Sequence, residues 1–387
     1  MKSFLFVGAG LSNLVLAREL VESDLDLKCH IIDQRHHIGG NCYTEIDSKT
    51  GVNIHKYGPH IFNTSNKEVI KYLKKFTKLI QFKHSVKALI PGKGIYQLPI
   101  NLHTINQFYN LQMSPDEAFE FIRKQSNKDI LAPTNFEEQA LKFIGKELYE
   151  SFFYGYTLKQ WGCYPCELPA SILKRIPIRF NYNDSYYNTS YTAMPKNGYT
   201  EIFEKIIDHP NIEVELNQSY DQSMNKYFNH IFYSGRLDEF FNFNFGRLGY
   251  RTVYWDNEVF DGDFQGNSVI NYPSLEQEFT RIIEHKHFSP WENHKKTFIS
   301  REYSKETADG DIPYYPKRIK DDINTLKEYI NQIDMLNLNI TFLGRLGTYR
   351  YLDMHQVIDE SLKFSKRFLK LTYLNENIPK FSVDRLI

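Results

Sequence analysis

The sequence predicts a mixed α/β and α+β fold whose two chain ends build one domain around an inserted middle. Two glycine turns predict it. Each follows a short apolar strand and leads into a helix, one at residues 4–21 and one at residues 339–369. Length agrees: 387 residues exceed one ordinary core and suggest two or three domains.

Residues 4–7, Phe-Leu-Phe-Val, read as a buried strand. Gly8-Ala9-Gly10 follows, and Leu14, Val15, Leu16, Ala17, Leu20 and Val21 then repeat with helical period. Residues 29–32 read as a second strand ending at Asp33, 20 residues after Asn13. Strand, glycine turn, helix, strand and acid in this order describe a Rossmann-like dinucleotide site. Gly8 permits the turn, Gly10 lets backbone approach a pyrophosphate, and the helix start offers N–H donors. Asp33 suits a ribose hydroxyl. Asn13 replaces the third glycine and is expected to loosen the packing of helix on strand. Arg35, Gly39, Gly40 and Asn41 come next. An acid, a base and a glycine pair resemble the FAD-binding stretch of amine-oxidase-like flavoproteins; a plain turn carries the same glycines.

At the other end, residues 339–343 read as a strand, followed by Gly344-Arg345, Tyr349, Tyr351, Asp353 and Met354. Val357, Ile358, Leu362 and Leu369 then share a helical face. A helix start here favours an anion. An ordinary helix capped by Asp353 has the same pattern.

The middle carries His55 and His60 in a Gly-Pro loop, then a helical pattern over residues 136–150. The run from Phe152 to Gly162 is dense in aromatics, which suits either a flat ring held between two faces or plain core packing. Lys174, Arg175 and Arg179, with Tyr186 and Tyr187, and later Arg281 and Tyr314-Tyr315, are the cations and phenols available to a diphosphate. Each cation alone reads equally as a solvated surface charge. Net charge is zero, so a nucleic-acid footprint is not expected. No apolar run reaches membrane-span length and no signal peptide is read, so the chain is expected in the cytoplasm, without membrane insertion. Cys163 and Cys166 have CxxC spacing, but no second half completes a zinc site; no metal is expected.

Taken together, these stretches resemble the UDP-galactopyranose mutase family. The resemblance is carried by residues 55–62, 155–162, 168–170, 174–180, 264–267, 280–288, 314–316, 344–345 and 353–356, in order along nearly the whole chain. It implies a discontinuous Rossmann-like FAD domain (1–76, 203–240 and 335–387). A helical domain at 100–182 with a mobile substrate loop is inserted, with a twisted antiparallel sheet domain at 77–99, 183–202 and 241–334. The implied reaction interconverts UDP-galactopyranose and UDP-galactofuranose for cell-surface polysaccharide. N5 of reduced FAD attacks the anomeric carbon, UDP leaves, and the sugar recloses through O4. NADPH or another reductant is needed for priming. A homo-oligomer, a dimer, is expected.

By the same resemblance Arg175 and Arg281 hold the diphosphate, Arg175 from a loop that closes over the substrate and Trp161 from the same region. Tyr186, Tyr315 and Tyr351 reach the phosphates, and Phe152 and Tyr156 sandwich the uracil. Thr157 and Asp353 lie near the substrate. His60 lies near the flavin, and Arg345 supports its reduced form. Gly8, Gly10, Asp33, Arg35, Gly40, Asn41, Asp353 and Met354 bind FAD. Asn63 stands at a sugar-facing position where galactose-processing relatives carry His. This leaves open another nucleotide sugar, such as UDP-N-acetylgalactosamine or a deoxy-sugar. An amine-oxidase-like oxidoreductase shares the amino-terminal signature without the Arg175, Arg281 and Tyr315 cage.

Overall fold

The computed structural model describes residues 1–170, 172, 178–384 and 386. Five parallel strands form one sheet, in the order Ile212–Leu216, Leu27–Asp33, Lys2–Val7, His230–Tyr233, Ile340–Phe342. The first and last strands of the chain thus share a sheet, as the two glycine turns predict. Strand Lys2–Val7 is central and buried on both faces. Phe4 and Phe6 enter one core and Leu5 and Val7 the other, as a period-two strand between two layers requires.

Helices Leu11–Val21 and Met354–Leu374 pack together over one face of this sheet. Ser361 Oγ donates to the Ser12 carbonyl at 3.1 Å across the contact. Asn13 overturns the expectation of loose packing. Its side chain is fully buried, and its Nδ2 donates to the carbonyls of Val7 (2.9 Å) and Gly8 (2.8 Å) and reaches Ser234 Oγ at 3.2 Å. A side-chain amide here ties the helix to two strands, where glycine achieves closeness by size alone.

A second sheet has seven strands: Tyr315–Pro316, Tyr250–Asp261, Lys296–Glu306, Arg281–Glu284, Val269–Asn271, Val86–Ile90, Gly94–Leu98. It is antiparallel except where Val269–Asn271 meets Val86–Ile90 in parallel, because that strand arrives from a distant chain segment.

Between the sheets in sequence lie the helices Leu102–Tyr109, Pro115–Gln125 and Phe136–Tyr149, started by Asn101, Ser114 and Asn135. These side chains accept the orphan N–H groups of a first turn. The expected helix at 136–150 is bent at Gly145 (φ 75°). A π-type turn, Glu150–Tyr154, then leads into helix Gly155–Trp161. Such turns recur at functional sites because they re-aim side chains. Among the described residues no helix is long and apolar enough to cross a membrane.

Candidate functional site

A cavity of about 640 Å³ opens at the carboxyl ends of the parallel strands. Gly8, Gly10, Asp33, Arg35, Gly40, Asn41, His60, Arg345 and Met354 all line it. Gly8 has φ +96°, and a Cβ there would lie 2.5 Å from Ser234 Oγ. A Cβ on Gly10 would meet nothing within 4 Å. Gly10 therefore faces open space, which a side chain would fill, and it starts a helix without a side-chain cap. Asp33 accepts from the Ala9 N–H (2.7 Å) and the Arg35 N–H (2.9 Å), which fixes its carboxylate between the two glycine loops. Arg35 lies over the Tyr57 ring at 4.8 Å, and its Nη1 is buried without a protein partner. Free helix N–H groups, an open glycine cradle and an unpaired guanidinium nitrogen fit a dinucleotide.

The sequence reading missed one wall. Residues 218–222, together with Ser234 and Gly235, line the same cavity. No motif marks them. They are brought there because the turn after Ile212–Leu216 folds back on Asp33: Gln218 N–H donates to the Asp33 carbonyl at 3.0 Å.

At the other end of the cavity Arg345 donates to the carbonyls of Tyr314 (3.1 Å) and Leu352 (2.6 Å). Its guanidinium also lies 5.6 Å and 5.1 Å from the rings of Tyr315 and Tyr351. Those two rings stack on each other at 5.5 Å, nearly parallel. Asp353 caps the adjacent helix, its N–H donating to Gln356 Oε1 at 2.8 Å. His60 Nδ1–H donates to the Gly58 carbonyl (2.9 Å). Burial, then the Arg345 charge, pull its pKa down to about 4, so the ring is neutral near pH 7.

Beyond the tyrosine pair sits Arg281, which lies directly opposite Glu302 in the antiparallel ladder and bonds it at 2.5 Å. Glu302 is fully buried, and Thr280 Oγ1 donates to it at 3.1 Å. Burial opposes the Arg281 charge, yet Glu302 holds it firmly protonated. This one guanidinium acts electrostatically on His60, His84, Tyr156, Tyr187 and Tyr315. Tyr186 packs edge-on to Tyr187 and to His84. Trp161 lies 6.5 Å from Tyr315. Arg281, Tyr156, Tyr186, Tyr315, Tyr351, Asp353 and Trp161 are thus gathered on one side of Arg345. Tyr187, one of the phenols offered to a diphosphate, stands with them, and His84 and Glu302 join them unforeseen.

Other predicted residues stand differently. Phe152 is buried against Tyr96 and Phe108, and Thr157 is buried one turn on. Asn63 is half-buried on strand Phe62–Thr64, its Nδ2 donating to the Ile61 carbonyl at 3.2 Å. Arg175 and Lys174 lie outside the described residues. Arg179 is occupied by its own loop, donating to the carbonyls of Asn183 and Ser185 and to Asn188 Oδ1. Cys163 and Cys166 are free thiols.

Asp263, Glu284 and His287 bring three ligand atoms within 4.8 Å. The Glu284 oxygens, however, already accept from the N–H groups of residues 264–266 and from Thr297 Oγ1. Lys286 holds Asp263 at 2.7 Å. The cluster anchors the loop at residues 264–267, which explains that motif without a ligand.

The family model described as UDP-galactopyranose mutase matches residues 151–351, and the one described as NAD(P)-binding Rossmann-like domain matches residues 7–76. A probable UDP-galactopyranose mutase from Klebsiella pneumoniae is 49% identical over 99% of this chain and 98% of its own length. A dTDP-fucopyranose mutase from Escherichia coli is 44% identical over 96% of this chain and 99% of its own. Among solved structures, that of a reduced UDP-galactopyranose mutase superposes with a TM-score of 0.73 at 14% identity, covering 96% of this chain and 94% of that one. A protoporphyrinogen oxidase-like structure from Exiguobacterium reaches 0.62 at 12% identity over 95% and 98%, a likeness of fold.

Proposed function

Because the chain belongs to the UDP-galactopyranose mutase family, whose cofactor is a flavin, we propose that it interconverts the pyranose and furanose forms of a nucleotide-linked sugar, UDP-galactose first, using reduced FAD. One observation carries this reading: the half-buried guanidinium of Arg281, paired with Glu302, stands among phenols beside Arg345 at the end of a dinucleotide cleft. When bound and reduced, the flavin supplies the nucleophile that takes the place of the nucleoside diphosphate at the anomeric carbon.

The residues of the chain then have separate tasks. Gly8, Gly10, Asp33, Arg35, Gly40, Asn41 and Met354 hold FAD. Arg345 supports the negative charge of the reduced ring, and neutral His60 lies beside it without adding competing charge. Arg281 grips the diphosphate through forked, charge-assisted bonds, keeping the leaving group ready to return. Tyr186, Tyr315 and Tyr351 complete the phosphate cage. Tyr156 and Phe152 take the base, with Thr157 and Trp161 on the same helix, and Asp353 stands at the sugar. Arg175, from the neighbouring segment, is the second diphosphate cation.

A second reading concerns the sugar. The 44% identical relative is named for dTDP-fucopyranose, and Asn63 at the sugar-facing position favours a substrate other than galactose. The test is product analysis by NMR after incubating dithionite-reduced enzyme with UDP-galactopyranose, UDP-N-acetylgalactosamine and dTDP-fucopyranose in parallel. A furanose from UDP-galactopyranose is expected. A furanose from dTDP-fucopyranose alone moves the assignment to the second reading. In a parallel incubation with the oxidised enzyme, net reduction of its flavin by any of the three, with no furanose from the reduced enzyme, makes the protein an oxidoreductase and overturns both.

A further inference from the structure

Lys159 stands apart from every role assigned above. It lies in helix Gly155–Trp161, three residues after Tyr156. Its Nζ lies within hydrogen-bond distance of four backbone carbonyls of one loop, Tyr272 (2.6 Å), Ser274 (2.7 Å), Gln277 (2.9 Å) and Phe279 (2.8 Å), which share its three N–H groups. That loop joins strands Val269–Asn271 and Arg281–Glu284, so its last residues lead directly into Arg281. Four carbonyl dipoles aimed at one point repel one another unless a cation stands between them. The same joint is tight on a second side. A Cβ on Gly155 would lie 2.2 Å from the Pro273 carbonyl oxygen, so helix and loop touch backbone to backbone.

We propose that Lys159 is a positioning residue, whose ammonium locks the Arg281 loop onto the helix carrying Tyr156 so that the base-facing and diphosphate-facing halves bind one nucleotide as a unit. The proposal rests on the nucleotide reading of this pocket. Lys159 itself touches no substrate: its donors are taken by the loop. Its effect travels through the placing of Arg281, because Thr280 and Arg281 share Glu302 as anchor and leave the loop together.

The test uses flavin-loaded protein and titrates uridine diphosphate and thymidine diphosphate by calorimetry. Wild type and Arg281→Ala come first: a wild type that binds neither nucleotide overturns the nucleotide reading, and this inference with it. With binding established, Lys159→Met is expected to keep its flavin and bind the preferred nucleotide about tenfold more weakly, within the range of coupled neighbours. Arg281→Ala introduced into Lys159→Met is expected to cost less than it does in wild type. General loosening would not produce that dependence. Gly155→Ala, which drives a methyl into the Pro273 carbonyl, is expected to weaken binding in the same way, and it decides the matter if Lys159→Met does not fold. Unchanged affinity in the variants that fold, or losses from Lys159→Met and Arg281→Ala that multiply in full, would overturn the proposal.

Discussion

The dinucleotide cleft and the Arg281 pocket meet at Arg345 and the Tyr315–Tyr351 stack, yet they are built by opposite means. The cleft is made of backbone: glycines at positive φ, an uncapped helix start and one acid that ties two loops together. Its core lies within residues 7–42, and most of its walls are set by what side chains leave empty. The pocket is made of side chains from separate elements, namely helix Gly155–Trp161, the loop around Tyr186, strand Arg281–Glu284 and the segments at Tyr315 and Tyr351. The cleft tolerates little bulk, and the pocket tolerates little loss of charge. The difference separates cofactor binding from substrate binding, and each can be broken alone.

The largest effect is expected from the cleft. Gly39 has φ +91°, and a Cβ there would lie 2.4 Å from the Phe203 ring. Gly39→Val combines backbone strain of about 1–3 kcal/mol with an overpacking cost of about 1–3 kcal/mol. The purified variant is expected to be nearly colourless and inactive, as flavin absorbance per polypeptide measures. In the pocket, Arg281→Ala is expected to lower turnover by roughly a hundredfold or more while flavin stays bound, since each charge-assisted contact contributes about 1.5–3 kcal/mol. It also leaves Glu302 buried and unpaired, at a cost of about 3–5 kcal/mol in stability. Adding Glu302→Gln should restore much of the melting temperature and none of the turnover. Recovery of both would mean that Arg281 acts only through the fold.

Acid should act next, through the buried histidines. Burial holds His60 at about 4 and His84, His230 and His285 at about 3, with His55 also well below the usual 6.5. The unfolded chain takes up these protons before the native state does. Stability is therefore fully present above pH 6.5 and falls as pH drops toward 4, by about 1 kcal/mol per pH unit for each histidine. Of the five, His230 alone lies in the parallel sheet. Urea midpoints at pH 7.5 and 5.5 test this, and equal midpoints would contradict it. The smallest expected effect returns to the cleft: Asn13→Gly, which restores the commoner residue, should destabilise by about 1–3 kcal/mol by removing two short hydrogen bonds.

The same contrast governs what could be read from sequence. Strand, glycine turn, helix and acid are contiguous, so Gly8, Gly10 and Asp33 were legible, as was the return of residues 340–342 to the same sheet. Asn13 was misread because its amide reaches Phe232 and Ser234, more than 200 residues away. Residues 218–222 carry no pattern and reach the cleft through one turn. Glu302 is one of two acids in its strand, and only the ladder register sets it opposite Arg281. His84 is one aromatic residue among many, and only folding puts it beside that cation.

The claim that cofactor and diphosphate are held by separate parts is tested most directly on one sample. Flavin content and the dissociation constants of uridine and thymidine diphosphate should be measured on wild type and on Arg281→Ala with Glu302→Gln. We predict equal flavin content and affinity for the preferred nucleotide reduced about a hundredfold, the loss of two contacts of about 1.5 kcal/mol each. Equal affinity in the two proteins, with flavin bound in both, would contradict the account.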